Sequence, residues 1–311
     1  MPDPHLRALR PDEFDAVADL ICASTNSWYR AHRNFDIFTA GPQSCRLFPE
    51  VYEALDPGCC IVAEDPKTGR LMGSCFYHPR PTHVSLRIMN VHPDFFGKGI
   101  AARLLRFITD LADRERKPTR LVSSAMNLDS FSLYSRAGFV PRACFTDMQI
   151  PVERAASLPP CPPGYRIRPA TRADVEPMAD LERELCHIHR PGDYAFFVEN
   201  RQGIWRTTVI ESRPGAIDGF LVSVAHPGST MLGPGVMRDD DPAAALIADH
   251  LKHHAIANRA PILLTPLDRP ALVRRLYAWS ARNLELHFAQ VRGASTPHTG
   301  VAMPTFMPET G

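Results

Sequence analysis

Between residues 11 and 23 the apolar side chains fall at Phe14, Val17, Ala18, Ile21 and Cys22, the spacing of a helix that buries one face. A second helix is predicted within residues 45–55. The period then shortens, and the apolar runs at 59–63, 71–77 and 84–91 predict three strands. Helical spacing returns over 99–112, with Ile100, Leu104, Leu105, Phe107, Ile108, Leu111 and Ala112 on the apolar side. Residues 121–126 predict a strand. Residues 129–137 predict a short helix closed by Gly138, a residue suited to the left-handed position after a helix. A last strand region covers 139–152, which completes an α/β or α+β order.

Four prolines within residues 157–164 can continue neither a helix nor a central strand, so this stretch reads as a semi-rigid linker. Beyond it the scheme repeats more loosely. Strands are predicted at 165–169, 204–211, 220–225, 262–265 and 284–291, and helices at 173–186, 242–258 and 269–281. Ala18-Asp19-Leu20 and Ala179-Asp180-Leu181 hold the same place in the two first helices, as do Leu133-Tyr134 and Leu276-Tyr277 in the two last ones. Shared element order gives these short identities their weight as an internal repeat. The expected organisation is a first domain at 1–153, a Pro-rich linker at 154–164, a second domain at 165–293 and an irregular tail at 294–311, rich in Pro, Thr, Ser and Gly.

Composition narrows the function classes. A chain of 311 residues exceeds the usual span of one core. With 44% hydrophobic and 22% charged residues it matches soluble globular proteins, and a net charge of +1 points to neither nucleic acid nor a membrane surface as partner. Residues 1–10 lack an apolar segment of signal-peptide length and no stretch is long enough to span a bilayer, so a cytoplasmic protein is expected. The 8 cysteines form no CxxC pair and no Cys/His set has zinc spacing, so reduced thiols and no metal are expected. His253 and His254, adjacent on a predicted helix, read as surface residues. Oligomeric state is left open.

The informative stretch is Val91-His92-Pro93-Asp94-Phe95-Phe96-Gly97-Lys98-Gly99-Ile100-Ala101-Ala102, a strand running through a Gly-rich loop into an amphipathic helix. Glycines let backbone N–H groups approach a phosphate, the helix N-terminus adds partial positive charge, and Lys98 adds a full one. Gly97-Lys98-Gly99-Ile100-Ala101-Ala102 also fits the letters of a dinucleotide fingerprint, but 121–126 ends without the acidic residue that fold needs, and the nucleotide P-loop pattern is absent. The stretch resembles the GNAT superfamily of acyl-CoA-dependent acyltransferases, whose Gln/Arg-x-x-Gly-x-Gly/Ala pattern falls on Phe96 to Ala101. Gly99 and Ala101 match, and Phe96 departs from it at a position that mostly contributes its backbone N–H. Residues 127–139 look like the family's second segment, with Asn127, Leu133-Tyr134 and Gly138-Phe139 in place.

That resemblance, covering roughly residues 5–150, implies two tandem GNAT-like domains, each a mixed, largely antiparallel sheet with splayed central parallel strands flanked by helices. It implies acetyl-CoA or another acyl-CoA as co-substrate. Phe96, Gly97, Lys98, Gly99, Ile100 and Ala101 would hold its phosphates, Asn90 and Val91 would pair with its pantetheine arm, and Asn127 would line that arm. Val91 would donate its backbone N–H to the oxyanion, and Tyr134 would protonate the leaving thiolate. Glu64, His78 and His92 are candidates for the base. Residues 27–36, between the first two helices, are candidates for recognising a small-molecule or peptide amine acceptor. In the second half three aspartates, Asp239 to Asp241, stand where a pyrophosphate would bind, which implies a degenerate copy without CoA. The implied function is N-acyl transfer, most simply N-acetyl transfer, by direct attack of the amine. The alternative is a non-catalytic acyl-CoA sensor on the same scaffold.

Overall fold

The computed structural model describes residues 3–305. It divides into two compact units, one of residues 1–79, 84–119 and 226–228, the other of residues 80–83, 120–225 and 229–311.

The first unit runs β1 (His5–Ala8), α1 (Phe14–Arg33), α2 (Pro42–Cys45), α3 (Leu47–Leu55), β2 (Cys60–Glu64), β3 (Leu71–Pro79), β4 (Val84–Val91) and α4 (Ile100–Arg114). The strands pair in sequence order, each antiparallel to the next. One face is covered by α1 and α3, where Val17, Ile21, Val51 and Tyr52 are buried and Tyr52 packs on Phe76 with ring centroids 4.9 Å apart. The other face takes α4, with Leu104, Leu105 and Ile108 buried. Residues 27–36, read from sequence as an inter-helix segment, are mostly the last turns of α1. Trp28 stacks on His32 one turn later at 4.5 Å, and the helix ends only at Asn34, which takes the left-handed conformation at φ 58°.

The second unit begins with β5 (Thr119–Ser124), α5 (Leu128–Arg136) and β6 (Val140–Gln149). It continues with β7 (Arg166–Pro169), α6 (Val175–Cys186), α7 (Pro191–Glu199), β8 (Trp205–Arg213), β9 (Ala216–His226), β10 (Ser229–Met237), α8 (Asp240–Ile256), β11 (Ile262–Pro266), α9 (Pro270–Ala278), β12 (Arg282–Arg292) and β13 (Val301–Met303). Its strands lie in the order β5-β12-β6-β11-β10-β9-β8-β7, with β13 beside β10. The last strands of the two repeats are therefore exchanged. β12 of the second repeat lies beside β5 of the first, and β6 of the first lies antiparallel to β11 of the second. β6 and β12 pair with each other from Val140↔Val291 to Gln149↔Arg282. The units part between Thr119 and Arg120, inside the first sequence repeat, and the Pro-rich segment is packed. Ala155 and Leu158 are buried, and the Lys252 ammonium on α8 donates to the Pro159 carbonyl at 3.0 Å.

Two details differ from the sequence reading of the second half. The segment expected to be an irregular tail carries β13, because Val301 and Met303 are 0% and 2% exposed and their backbone pairs with β10. His254 is buried on the inner face of α8, and burial pushes its imidazole down to about 4, so it is neutral at pH 7; its neighbour His253 stays exposed.

A half-buried ion triad marks both repeats at corresponding places. Arg7 on β1 bridges Glu13, before α1, and Glu64, at the end of β2. Arg168 on β7 bridges Asp174, before α6, and Glu211 on β8. The arginine hydrogen bonds hold Glu13 down at about 2 from 4.5 and Asp174 at about 2 from 3.8. Folded-state values below the unfolded ones mean that this stabilisation is complete above about pH 4.5 and is lost as the pH falls towards 2. Melts recorded from pH 7 to pH 2 should show the midpoint falling through that window, and the Arg7→Met/Arg168→Met double variant should show a flatter profile. An unchanged slope in the double variant would refute the assignment.

Candidate functional site

The loop after β4 is built from its own backbone. The His92 ring accepts from the Asp94 N–H at 3.2 Å, Pro93 opens a single 3-10 turn, and Phe95 is buried beneath it. The chain then turns through Gly97 and Gly99 at φ 73° and 78°. A Cβ at either glycine would meet nothing within 4 Å, so the backbone conformation and not crowding is what calls for glycine there. Gly99 caps α4, and the first helical bond runs from the Arg103 N–H to the Gly99 carbonyl at 3.2 Å. Helix geometry therefore leaves the N–H groups of the first turn, from Gly99 to Ala102, without acceptors inside the helix. Residues 96–99 and 102 are exposed, so these donors face an open surface. Phe96 is 48% exposed. The Lys98 ammonium folds back on the Asp94 carbonyl and over the Phe95 ring at 4.9 Å. Such a turn suits an anion with several oxygens, such as a pyrophosphate.

β4 presents the second element. The His92 N–H donates to the Met72 carbonyl on β3 at 2.9 Å. Antiparallel alternation then turns the Val91 N–H to the side away from β3. Opposite Cys75 to Tyr77 the register slips from Met89 to Leu86, which places a bulge near Arg87 and Ile88. Beyond the bulge the Asn90 side chain points at α1, its amide donating to Thr25 Oγ1 at 3.4 Å. At the far end of β4 the Val84 N–H donates to the Pro118 carbonyl, in the residues that lead into β5.

Gly73 packs beside the candidate site, and the sequence reading passed over it. A Cβ there would lie 2.8 Å from the Asn90 carbonyl oxygen, 3.1 Å from Ile100 Cγ2 and 3.2 Å from Leu104 Cδ1. Only glycine lets α4 lie this close to β3 and β4, and a lone glycine inside a predicted strand was the available signal. Gly73→Val should cost about 1–3 kcal/mol of stability by overpacking. It should also push the start of α4 off β4, and it should weaken acetyl-CoA binding if the loop holds that cofactor. Urea unfolding together with an acetyl-CoA titration checks both effects.

Asn127 and Tyr134 belong to the second unit, on α5. Asn127 caps that helix, its side chain accepting from the Ser130 N–H at 3.0 Å. Tyr134 is 7% exposed, its ring 5.8 Å from that of Phe139, and α5 rests on β12 through Phe131 and Phe288 at 6.0 Å. The three base candidates are engaged. Glu64 is ion-paired with Arg7. His78 is fully buried, with Nδ1 bonded to Asp56. His92 holds the turn and lies 3.0 Å from the Arg70 guanidinium. Among the described residues no group of three or more His, Cys, Asp or Glu could hold a metal ion, and no helix is long and apolar enough to cross a membrane.

Residues 25–139, which contain β4, the loop, α4, Asn127 and Tyr134, match the sequence model of the acetyltransferase (GNAT) family. The chain carries a GNAT-family domain. Solved structures extend the likeness over nearly its whole length. A putative acetyltransferase from Pyrococcus horikoshii superposes with a TM-score of 0.72 at 14% identity, covering 97% of this chain and 95% of that one. A GCN5-related N-acetyltransferase from Sphaerobacter thermophilus gives 0.65 at 18% identity over 96% and 98%. A tandem GNAT protein from the clavulanic acid biosynthesis pathway gives 0.63 at 15% identity over 94% and 100%. These likenesses show the fold, a tandem GNAT arrangement. Among curated proteins, YqkA of Bacillus subtilis is 34% identical over 73 residues, a match that spans 24% of this chain and about a fifth, 21%, of that protein.

Proposed function

We propose that the protein is an N-acyltransferase that moves an acyl group, most simply acetyl, from acyl-CoA to the amine of a small molecule or peptide. The reading is carried by one observation: an exposed helix N-terminus with free donors, reached through two left-handed glycines, directly after a strand that turns the Val91 N–H away from its neighbour. The loop from Phe96 to Ala101 would hold the pyrophosphate, and the strand edge at Asn90 and Val91 would pair with the pantetheine arm. Val91 N–H is assigned to the oxyanion. Tyr134 is assigned as the acid for the thiolate, and Asn127 to the side of the arm while it caps its helix. Positioning two bound substrates supplies much of the rate in this scheme. The repeat boundary at residues 154–164 and a second repeat at 165–293 without cofactor belong to the same reading, as does a cytoplasmic setting.

The decisive assay follows CoA thiol release from acetyl-CoA over a broad amine panel. Turnover with at least one amine is expected. Tyr134→Phe should lower that turnover by about 10²-fold and leave acetyl-CoA affinity within a factor of about three. Equal turnover by Tyr134→Phe would remove the tyrosine from the chemistry. The engaged state of Glu64, His78 and His92 favours one alternative, an acyl-CoA sensor without turnover. A thermal shift with acetyl-CoA and no CoA release across the whole panel would establish it.

A further inference from the structure

β10 and β11 start as a parallel pair, with Met231 opposite Ile262 and Leu232 opposite Leu263, and their pairing ends there. Pro234 has no N–H to give to a ladder. From Gly235 onward β10, which keeps β9 as its other neighbour, pairs with a segment of the same chain from beyond β12. β13 runs antiparallel to it, with Gly235 opposite Met303, Val236 opposite Ala302 and Met237 opposite Val301.

The fit is close along the segment. Val301, Met303 and Thr305 are 0%, 2% and 0% exposed. A Cβ on Gly300 would fall 2.6 Å from the Met237 carbonyl oxygen and 2.7 Å from Leu185 Cδ1, so the strand enters at a point that only glycine can pass. The approach is anchored as well. The Thr299 N–H donates to the Leu185 carbonyl at 2.9 Å, the Arg269 guanidinium donates to the Thr299 carbonyl at 2.6 Å, and Arg120 meets the His298 ring at 3.2 Å. The helix that follows β10 is occupied too. The Asp239 carboxylate accepts from the Asp241 N–H at 3.0 Å at the N-terminus of α8, and Asp241 pairs with Arg275 at 2.8 Å. A carboxylate belonging to the chain thus sits where an anion would otherwise be attracted.

In the order of the repeat, β10 and α8 are the counterparts of β4 and α4. We propose that the gap between β10 and β11 is a strand-docking groove whose ligand is residues 299–305 of the same chain, a peptide in the place that an acyl-CoA arm would take. The chain accordingly binds one acyl-CoA and not two. The comparison with the cofactor rests on the acyltransferase reading above, whereas the groove and its occupant do not. Main-chain pairing supplies the attraction, and the buried Val301 and Met303 supply the selectivity.

The test uses the full chain with a protease site inserted between Gly293 and Ala294, both exposed. After cleavage the released fragment should stay with the body through gel filtration under native conditions. The same insertion with Val301→Asp should weaken retention by at least about a hundredfold, because the new charge has no buried partner. A wild-type fragment that separates freely from a folded body would overturn the proposal. If the aspartate variant does not fold, a labelled peptide of residues 294–305 offered to the cleaved wild type decides the matter. Exchange into the body, competed by unlabelled peptide, is expected, and no uptake would count against the groove. Calorimetric titration of the intact chain with acetyl-CoA should saturate at one equivalent, and two equivalents would overturn the proposal. No binding at all would fall on the acyltransferase reading, with the fragment experiment still deciding the groove.

Discussion

Gly99→Glu should abolish measurable acetyl-CoA binding, a loss of at least about a hundredfold in affinity. Two effects act together. Gly99 sits at φ 78°, where a side chain costs about 1–2 kcal/mol. The new carboxylate would also stand among the first-turn donors of α4, repelling the phosphates those donors are expected to hold. Gly99→Ala separates the two effects. The space around its Cβ is empty, so alanine meets only the backbone cost and should lower stability by about 1 kcal/mol with a modest effect on affinity. Calorimetric titration of all three proteins checks the pair of statements. Equal binding by wild type and the glutamate variant would move the cofactor site away from this loop, and absence of binding in both would count against acyl-CoA altogether.

The second large effect is on stability. Arg190→Met should destabilise the second unit by about 3–5 kcal/mol. Arg190 is 3% exposed and grips the Glu182 carboxylate with Nε at 2.9 Å and Nη2 at 2.6 Å. Asp193, itself 1% exposed, lies 3.8 Å from the Arg190 guanidinium and is paired with Arg80 at 2.6 Å. Removing the arginine leaves the Glu182 carboxyl buried without its partner, so most of the cost is the stranded group and not the lost bond. The Arg190→Met/Glu182→Leu double variant should therefore recover a large part of the loss. Thermal melts of the two variants decide this, and a double variant less stable than the single one would show that the pair itself is favourable.

The element order was legible because the apolar period changes cleanly, from the helical face of α4 to the short runs of β2, β3 and β4. The turn before α4 was legible because Gly97 and Gly99 suit the left-handed backbone that leads into a helix. Other features were written in non-local terms. The register that places β12 beside β5 depends on which edges are free, and no local pattern encodes that. β10 was missed because its Leu-Gly-Pro-Gly centre carries poor strand residues, and tertiary pairing with β13 overrides them. α7 was missed because its apolar residues do not mark one face. The triads of Arg7 and Arg168 were visible in principle, as an arginine and an acid six residues apart in each repeat. Their third members, Glu64 and Glu211, sit on the following strand and come together only in the fold. For the site residues, the capping bond of Asn127 to the Ser130 N–H came only with the structure, and Gly73 went unremarked because close approach is a property of the packed state.

The exchange of last strands sets a timetable for synthesis. β5 ends at Ser124, yet its neighbour β12 begins only at Arg282. At ordinary translation speeds that edge waits on the order of 10 s for its partner. During this interval the first repeat exists as a nascent chain with an open strand edge, the kind of surface that recruits a neighbouring chain on the same message. The same arrangement means that a gene cut at the Pro-rich segment would yield two pieces that each lack a strand, and that complete themselves most readily by finding each other.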